Sequence, residues 1–159
     1  MNELMLFTDV SVDTKINVGY GAYLSVSGYG FSLDSLKSQI KVKRFEKTNS
    51  TKLELQTLLW ALNDIRPYKN ELIVYTDSQN IIGLPKRRER LEKNKYLSKK
   101  NRLIKNHQLY QKFYKVTDHL NCQFVKVSGH KRLNQKDYID QLFTLVDRAS
   151  RNALRKKRL

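Results

Sequence analysis

Two aspartates follow apolar runs at points where a carboxylate can do chemistry. Asp9 comes directly after the apolar segment 4–8, and Asp77 directly after the segment 71–76. Each run has the length and composition of a buried strand. Because sites in open α/β sheets form at the carboxyl ends of strands, the two aspartates are predicted to face one cleft.

Two more acids lie on predicted helices. Glu54 falls in the first turn of a helix over 50–66, and Asp147 borders the apolar stripe of a helix over 138–155. If all four carboxylates converge, protons or divalent cations must neutralise their repulsion. Such a set of hard oxygen ligands suits Mg²⁺.

Each acid also has an ordinary structural explanation. Asp9 can close an Asx turn at a strand end, and Asp77 can be a helix N-cap. Glu54 suits the first turn of a helix because of the helix dipole, and Asp147 can pair with nearby arginines. Taken one at a time, these four positions therefore fit either a metal-binding role or a structural role.

The elements around these acids define a fold class. Segments 18–26, 28–33 and 39–45 are predicted to be antiparallel strands of a meander. The stripe of 50–66 indicates a helix with Ser50 or Thr51 as N-cap. A short helix is predicted from 78 to 84, a helical basic segment from about 100 to 119, and a fifth strand from 122 to 128. The order βββαβαβα predicts an α/β fold with a mixed five-stranded sheet, a three-stranded antiparallel meander plus parallel strands, and helices on both faces.

The positive charge is concentrated in two segments. The chain has 31 Lys and Arg against 15 Asp and Glu, a net charge of +16. Residues 86–115 and the C-terminal segment 148–159 hold all of that excess. A polyanionic partner explains this distribution, although a solvated lysine-rich helix face explains it too. An anionic membrane is a weaker explanation because residues 86–115 have no strongly apolar face.

Size and composition limit the remaining classes. With 159 residues, 40% hydrophobic, the chain is predicted to be a single domain, 1–159, carrying a basic protrusion at about 86–115 and a basic tail at 148–159. One cysteine, Cys122, excludes an internal disulfide and favours a reducing compartment. No apolar stretch reaches membrane-spanning length and no secretory signal is evident, so a cytoplasmic protein is expected.

The contexts of the four acids resemble a known signature. In order along the chain they are Phe7-Thr-Asp9-Val-Ser11, Ser50-Thr-Lys-Leu-Glu54-Leu, Val74-Tyr-Thr-Asp77-Ser-Gln79 and Val146-Asp147-Arg-Ala149-Ser-Arg-Asn-Ala153. This series resembles the Asp-Glu-Asp-Asp signature of ribonuclease H of the single-domain bacterial type 1. The resemblance covers almost the whole chain, and the predicted strand order agrees with that family's fold.

The resemblance implies an activity and its metal ions. It implies hydrolysis of the RNA strand of RNA/DNA hybrids by two Mg²⁺ ions, with Mn²⁺ as a substitute, giving 5′-phosphate and 3′-hydroxyl products. Asp9, Glu54, Asp77 and Asp147 would be the metal ligands. His130 in the sequence Gly129-His130 looks like the family's loop histidine and would carry protons, or it could simply bond to backbone.

The resemblance also implies how the hybrid is bound. Ser50, Thr51 and Gln79 lie near enough to the acids in sequence to contact 2′-hydroxyls, and Ser11 would add a backbone contact. The stretch Lys105-Asn-His-Gln-Leu-Tyr110 looks like the family's basic protrusion motif. Residues 86–115 would bind the phosphates of the DNA strand without base preference, chiefly through Lys99, Lys100, Lys105 and Asn106. No obligate protein partner or membrane is expected, and the protein is predicted to be a monomer.

Some positions depart from the family pattern. Val10 stands where a glycine is usual, and the predicted protrusion lacks tryptophan. The segment between His130 and Asp147 is longer than usual, which makes Asp137 and Asp140 competitors for the role of fourth acid. A noncatalytic hybrid- or duplex-binding module and a different nuclease on the same fold are the alternative functions.

Overall fold

The computed structural model describes residues 3–65, 70–128 and 137–158 and places five strands in one mixed sheet. The order across the sheet is β3-β2-β1-β4-β5. Antiparallel pairs join β1 to β2 and β2 to β3, whereas β1 with β4 and β4 with β5 are parallel. This confirms the predicted mixed five-stranded sheet. The strands are β1 Leu4–Asp13, β2 Val18–Ser27, β3 Lys41–Phe45, β4 Leu72–Thr76 and β5 Cys122–Lys126.

Helices cover both faces of the sheet, as expected from the sequence. The described residues form α1 Leu33–Lys37, α2 Ser50–Asp64, α3 Gln79–Lys93, α4 His107–Thr117 and α5 Tyr138–Arg158. Side chains of α2, α3 and α4 share one core cluster with Leu4 and Leu6 of β1. Side chains of α1 and α5 share a second cluster with Met5 and Phe7, because successive side chains of a strand point to opposite faces.

A close approach between α2 and β2 fixes the position of the second helix. A Cβ atom built on Gly21 would lie 1.9 Å from Oγ1 of Thr57. Thr57 is fully buried in α2, so only the absence of a side chain at residue 21 lets the helix lie this close to the sheet. Glu54 lies in the second turn of the same helix, not in the first as predicted, because the helix begins at Ser50.

Several predicted boundaries were wrong. β1 does not end at Asp9 but continues to Asp13, since β2 pairs with it along the whole length. Segment 28–33 is not a strand: it leads into α1, which begins at Leu33 behind the N-cap Ser32. The N-cap of α2 is Asn49, one residue before the predicted Ser50 or Thr51.

The basic segment differs most from the prediction. α3 does not stop at residue 84 but continues to Lys93 through Pro85, and the second helix of the segment begins at His107 rather than near residue 100. Between them, residues 94–106 form a connection closed by a bridge between Leu97 and Leu103. None of the helices in the described ranges is long and apolar enough to cross a membrane.

Candidate active site

Asp9 and Asp77 lie where the two central parallel strands separate. The last paired residues of β1 and β4 are Phe7 and Tyr75, and each aspartate stands two residues beyond its strand's last pair. Tyr75 stacks on Phe7 with 4.9 Å between ring centroids, which holds the two strand ends together. The predicted strand-end placement is therefore seen for Asp77, while Asp9 occupies the same level inside the longer β1.

The final helix brings Asp147 to Asp9. Asp9 is 8% exposed, and its carboxyl group is hydrogen-bonded to the carboxyl group of Asp147. Oδ1 of Asp147 also lies 3.1 Å from Nε of Arg151, one turn further along α5. A second polar link joins the same elements, since Oγ of Ser11 in β1 is 3.0 Å from Oγ of Ser150.

Glu54 approaches the group from the other face of the sheet. Burial raises the pKa of Glu54, the nearby charge of Asp77 raises it further, and a hydrogen bond with the Ser78 side chain lowers it. Ser78 is buried and is the N-cap of α3, where its Oγ accepts a hydrogen bond from the Ile81 N–H at 3.2 Å. The start of α3 thus supports the Glu54 carboxylate.

The electrostatics of Asp9 show how crowded the acids are. Burial, the hydrogen bond with Asp147 and the negative charges of Asp77 and Asp147 raise the pKa of Asp9 from 3.8 to about 9. A hydrogen bond from the Val10 backbone opposes the shift. At neutral pH the pair of Asp9 and Asp147 therefore shares a proton, as expected for carboxylates that cannot all be ionised together.

The carboxylate oxygens of these acids suit hard divalent cations, although the side chains do not form a complete metal site as they stand. Within the described ranges, no three His, Cys, Asp or Glu side chains form a group that could hold a metal ion as they stand. Four carboxylates nevertheless influence one another across this cleft, two of them in direct contact. Oxygen-rich sets of this kind favour Mg²⁺ over softer metals.

Two competitors for the fourth acid have a different role. The Asp140 N–H donates to Oδ1 of Asp137 at 2.9 Å, and the Asp137 N–H donates to Oδ2 of Asp140 at 3.3 Å. This reciprocal pair caps the start of α5. Asp147, by contrast, contacts Asp9. His130 lies outside the described residues.

The polar residues predicted to contact the hybrid flank the acids. Ser50 and Thr51 are exposed in the first turn of α2, next to the turn of Glu54. Gln79 is exposed at the start of α3, where its Oε1 accepts a hydrogen bond from Nζ of Lys126 at 2.7 Å. Ser11 is half-buried and bound to Ser150, so its hydroxyl is directed toward α5.

Two of the residues predicted to bind the DNA strand line a groove. Lys99 and Lys100 are exposed in the connection 94–106, and Lys105 and Asn106 stand at the start of α4. Lys105 and Asn106 line one groove of about 560 Å³ with residues of the β1–β2 turn and the α2 N-terminus. The other residues lining it are Ile16, Asn17, Lys47, Thr48, Asn49 and Lys52.

Not every cation of the basic segment is available to a ligand. Arg88 forms an ion pair with Glu92 at 3.0 Å and a two-armed contact with Asp118, in which Nη2 lies 2.9 Å from Oδ2. Tyr96 of the connection and Tyr110 of α4 are buried in the core. The accessible charge is therefore carried by other bases, and the lysines of the connection are among those that are exposed.

The sequence reasoning did not single out Ser78 or Ser150, and it included Arg151 only among the arginines near Asp147. Ser78 had a signal, because a serine directly after a strand-end aspartate and before a helix is a typical N-cap. Arg151 stands four residues after Asp147, the spacing of a helical ion pair. Ser150 had no local signal, since its partner Ser11 lies in the first strand.

Comparisons with known proteins point to one family. The RNase H family model matches residues 1–147, and no curated protein matches the sequence. A structure of the foamy viral protease-reverse transcriptase in complex with RNA/DNA hybrid aligns with a TM-score of 0.68 and 7% identity, over 95% of this chain and 19% of that one. A structure of the foamy viral protease-reverse transcriptase in complex with dsDNA aligns with a TM-score of 0.61 and 8% identity, over 93% of this chain and 94% of that one. The chain thus spans about a fifth of the first viral protein, at 19%. At these identities the two structures show a shared fold.

Proposed function

Because the chain belongs to the RNase H family, we propose that this nuclease hydrolyses the RNA strand of RNA/DNA hybrids. The observation that carries the proposal is the buried, hydrogen-bonded carboxyl pair of Asp9 and Asp147 with the charge of Asp77 beside it. A protein gains no stability from crowded carboxyl groups of this kind. Their retention in a cleft is instead typical of a functional site.

Asp9, Glu54, Asp77 and Asp147 would hold two divalent ions, with Mg²⁺ as the proposed metal and Mn²⁺ as a substitute. Bound at such a site, these ions supply a hydroxide nucleophile and stabilise the charge that develops at the phosphate. Asp9 contributes from the centre of the group, since it interacts with both Asp77 and Asp147. Held at this site, divalent cations would take over the neutralising role of the proton that Asp9 shares with Asp147.

The surrounding residues would supply orientation and proton transfer. Ser78 holds the carboxylate of Glu54, and Arg151 holds that of Asp147. His130 is proposed to carry protons at the reacting phosphate. Hydrolysis would leave a 5′-phosphate and a 3′-hydroxyl.

Binding of the hybrid would rest on two kinds of contact. We propose that Ser11, Ser50, Thr51 and Gln79 contact the RNA strand, where 2′-hydroxyls distinguish RNA from DNA. The exposed lysines at 99, 100 and 105, with Asn106, would bind phosphates of the DNA strand. We propose that the protein is a cytoplasmic monomer with a single domain. Its free Cys122 agrees with a reducing compartment.

One gel separates this function from its alternatives. End-labelled RNA/DNA hybrid, duplex RNA, duplex DNA and a branched DNA junction are incubated with the protein in Mg²⁺ and in EDTA. We expect Mg²⁺-dependent cleavage of the RNA strand of the hybrid alone. Cleavage of the junction instead would indicate another nuclease on this fold, and binding without any cleavage would indicate a noncatalytic module.

A further inference from the structure

The outer face of α5 carries a row of arginines that begins at the acids. Arg148, Arg151 and Arg155 follow Asp147 at spacings that place them on one side of the helix. All three are exposed, whereas Leu142, Phe143 and Val146 on the other side are buried against the sheet. We define Arg148, Arg151 and Arg155 as the arginine stripe.

The stripe borders a shallow groove that leads away from the acids. The groove measures about 350 Å³ and is lined by the arginine stripe together with Thr144, Asp147 and Asn152. Arg151 is tied to Asp147, and its side chain remains 56% exposed. Within the described ranges Arg148 and Arg155 form no ion pair with a carboxylate, so their charge faces solvent.

The charge and shape of this groove match a row of phosphates. No acid occurs after Asp147 in the sequence, so nothing on the remainder of α5 offsets the positive charge. Guanidinium groups bind phosphate oxygens in a two-armed geometry. From Arg148 to Arg155 the helix rises by about 10 Å, which is the axial span of about three nucleotide steps of one strand.

The position of α5 indicates which strand would lie there. The basic connection 94–106 belongs to the side of the sheet covered by α3 and α4, whereas α5 covers the opposite side. The acids lie between them. We propose that the arginine stripe binds phosphates of the cleaved strand, beyond the scissile bond, while the connection binds the other strand. The identity of the strand rests on the proposed function.

Binding measured apart from cleavage tests the stripe. The variant Arg148→Gln/Arg155→Gln is compared with Lys156→Gln/Lys157→Gln, which removes the same charge from the same helix but off the stripe. Fluorescence anisotropy with labelled hybrid in EDTA gives the association constant between about 50 and 200 mM salt. The slope of its logarithm against the logarithm of salt concentration should fall by about two for the arginine variant. It should change much less for the lysine variant.

A second set of hybrids locates the contact. The RNA strand is shortened by about three nucleotides from either end of the site while the DNA strand keeps its length. On the hybrid that lacks the RNA phosphates facing the stripe, the arginine variant should bind like the wild type. On the hybrid shortened at the opposite end, it should bind more weakly than the wild type. An equal effect on both shortened hybrids, or equal salt slopes for the two variants, would overturn the proposal.

Failure of the stripe proposal and failure of the proposed function give different results. Cleavage of the hybrid by the wild type with equal salt slopes for the two variants overturns the stripe alone. A reduced slope for the arginine variant, with a wild type that does not cleave the hybrid, overturns the activity and supports the stripe as a phosphate-binding surface. Thermal melting of both variants verifies that their folds are intact.

Discussion

The carboxyl groups of Asp9 and Asp147 share a hydrogen bond, although one residue lies in the first strand and the other in the last helix. This contact joins the two ends of the chain at the cleft. Ser11 and Ser150 reinforce it two and three residues away. The position of the fourth acid therefore depends on how α5 packs against β1.

Stability without metal should depend on Asp9. Its pKa is raised from 3.8 to about 9 in the folded protein, so the folded state holds a proton that the unfolded state releases at lower pH. The free energy of unfolding should therefore fall as pH rises from about 4 towards 9. Asp9→Asn cannot ionise, so in EDTA it should melt at a higher temperature than the wild type at pH 8, and at nearly the same temperature at pH 4.

The same melts with Mg²⁺ provide the control. Mg²⁺ should raise the melting temperature of the wild type at pH 8, because binding to the folded state alone stabilises it, and should raise that of Asp9→Asn much less. A melting difference in EDTA that does not change with pH would contradict the raised pKa of Asp9.

Two glycines should respond to alanine with opposite signs. Gly21→Ala places a Cβ 1.9 Å from Oγ1 of buried Thr57, which should cost about 1–3 kcal/mol or more of the free energy of unfolding. Gly83→Ala lies inside α3, where the nearest atom to a new Cβ is Arg87 Cδ at 3.9 Å, and should stabilise by up to about 1 kcal/mol. Urea denaturation measures both, and destabilisation of similar size in the two variants would contradict this packing.

The exposed lysines should govern binding rather than turnover. Replacing Lys99, Lys100 and Lys105 with Gln should raise KM for the hybrid by at least about tenfold at physiological salt, because phosphate contacts dominate affinity. Turnover at saturation should change little. Steady-state kinetics test this against a variant with the same charge loss at Lys37, Lys41 and Lys43. A selective fall in kcat would reject the binding role.

Much of the fold was predictable because local patterns agreed with the final packing. Apolar runs bounded by polar residues indicated β1 and β4, and helical periodicity indicated α2 and α5. Apolar runs indicated Asp9 and Asp77, and helical stripes indicated Glu54 and Asp147, but each position alone left two explanations open. The motif resemblance joined the four acids into one set, whose convergence depends on how the helices pack.

The errors arose where distant contacts overrode local signals. β1 extends past Asp9 because β2 pairs with it as far as Asp13. The alternation of Val10 and Val12 with polar residues is a strand signal that the prediction did not use. Pro85 lies in the first half of α3, where a proline is expected to end or kink a helix, yet the helix continues. Buried Leu91 packs into the same core as α2 and α4, which offsets the lost hydrogen bond.

The most direct test is cleavage of a hybrid with labelled RNA by the wild type and by Asp9→Asn, Glu54→Gln, Asp77→Asn and Asp147→Asn in Mg²⁺. Circular dichroism verifies that each variant is folded. We expect the wild type to cut the RNA strand and every variant to lose activity by orders of magnitude. Wild-type activity in folded Asp9→Asn, Glu54→Gln or Asp77→Asn would contradict the proposed metal site.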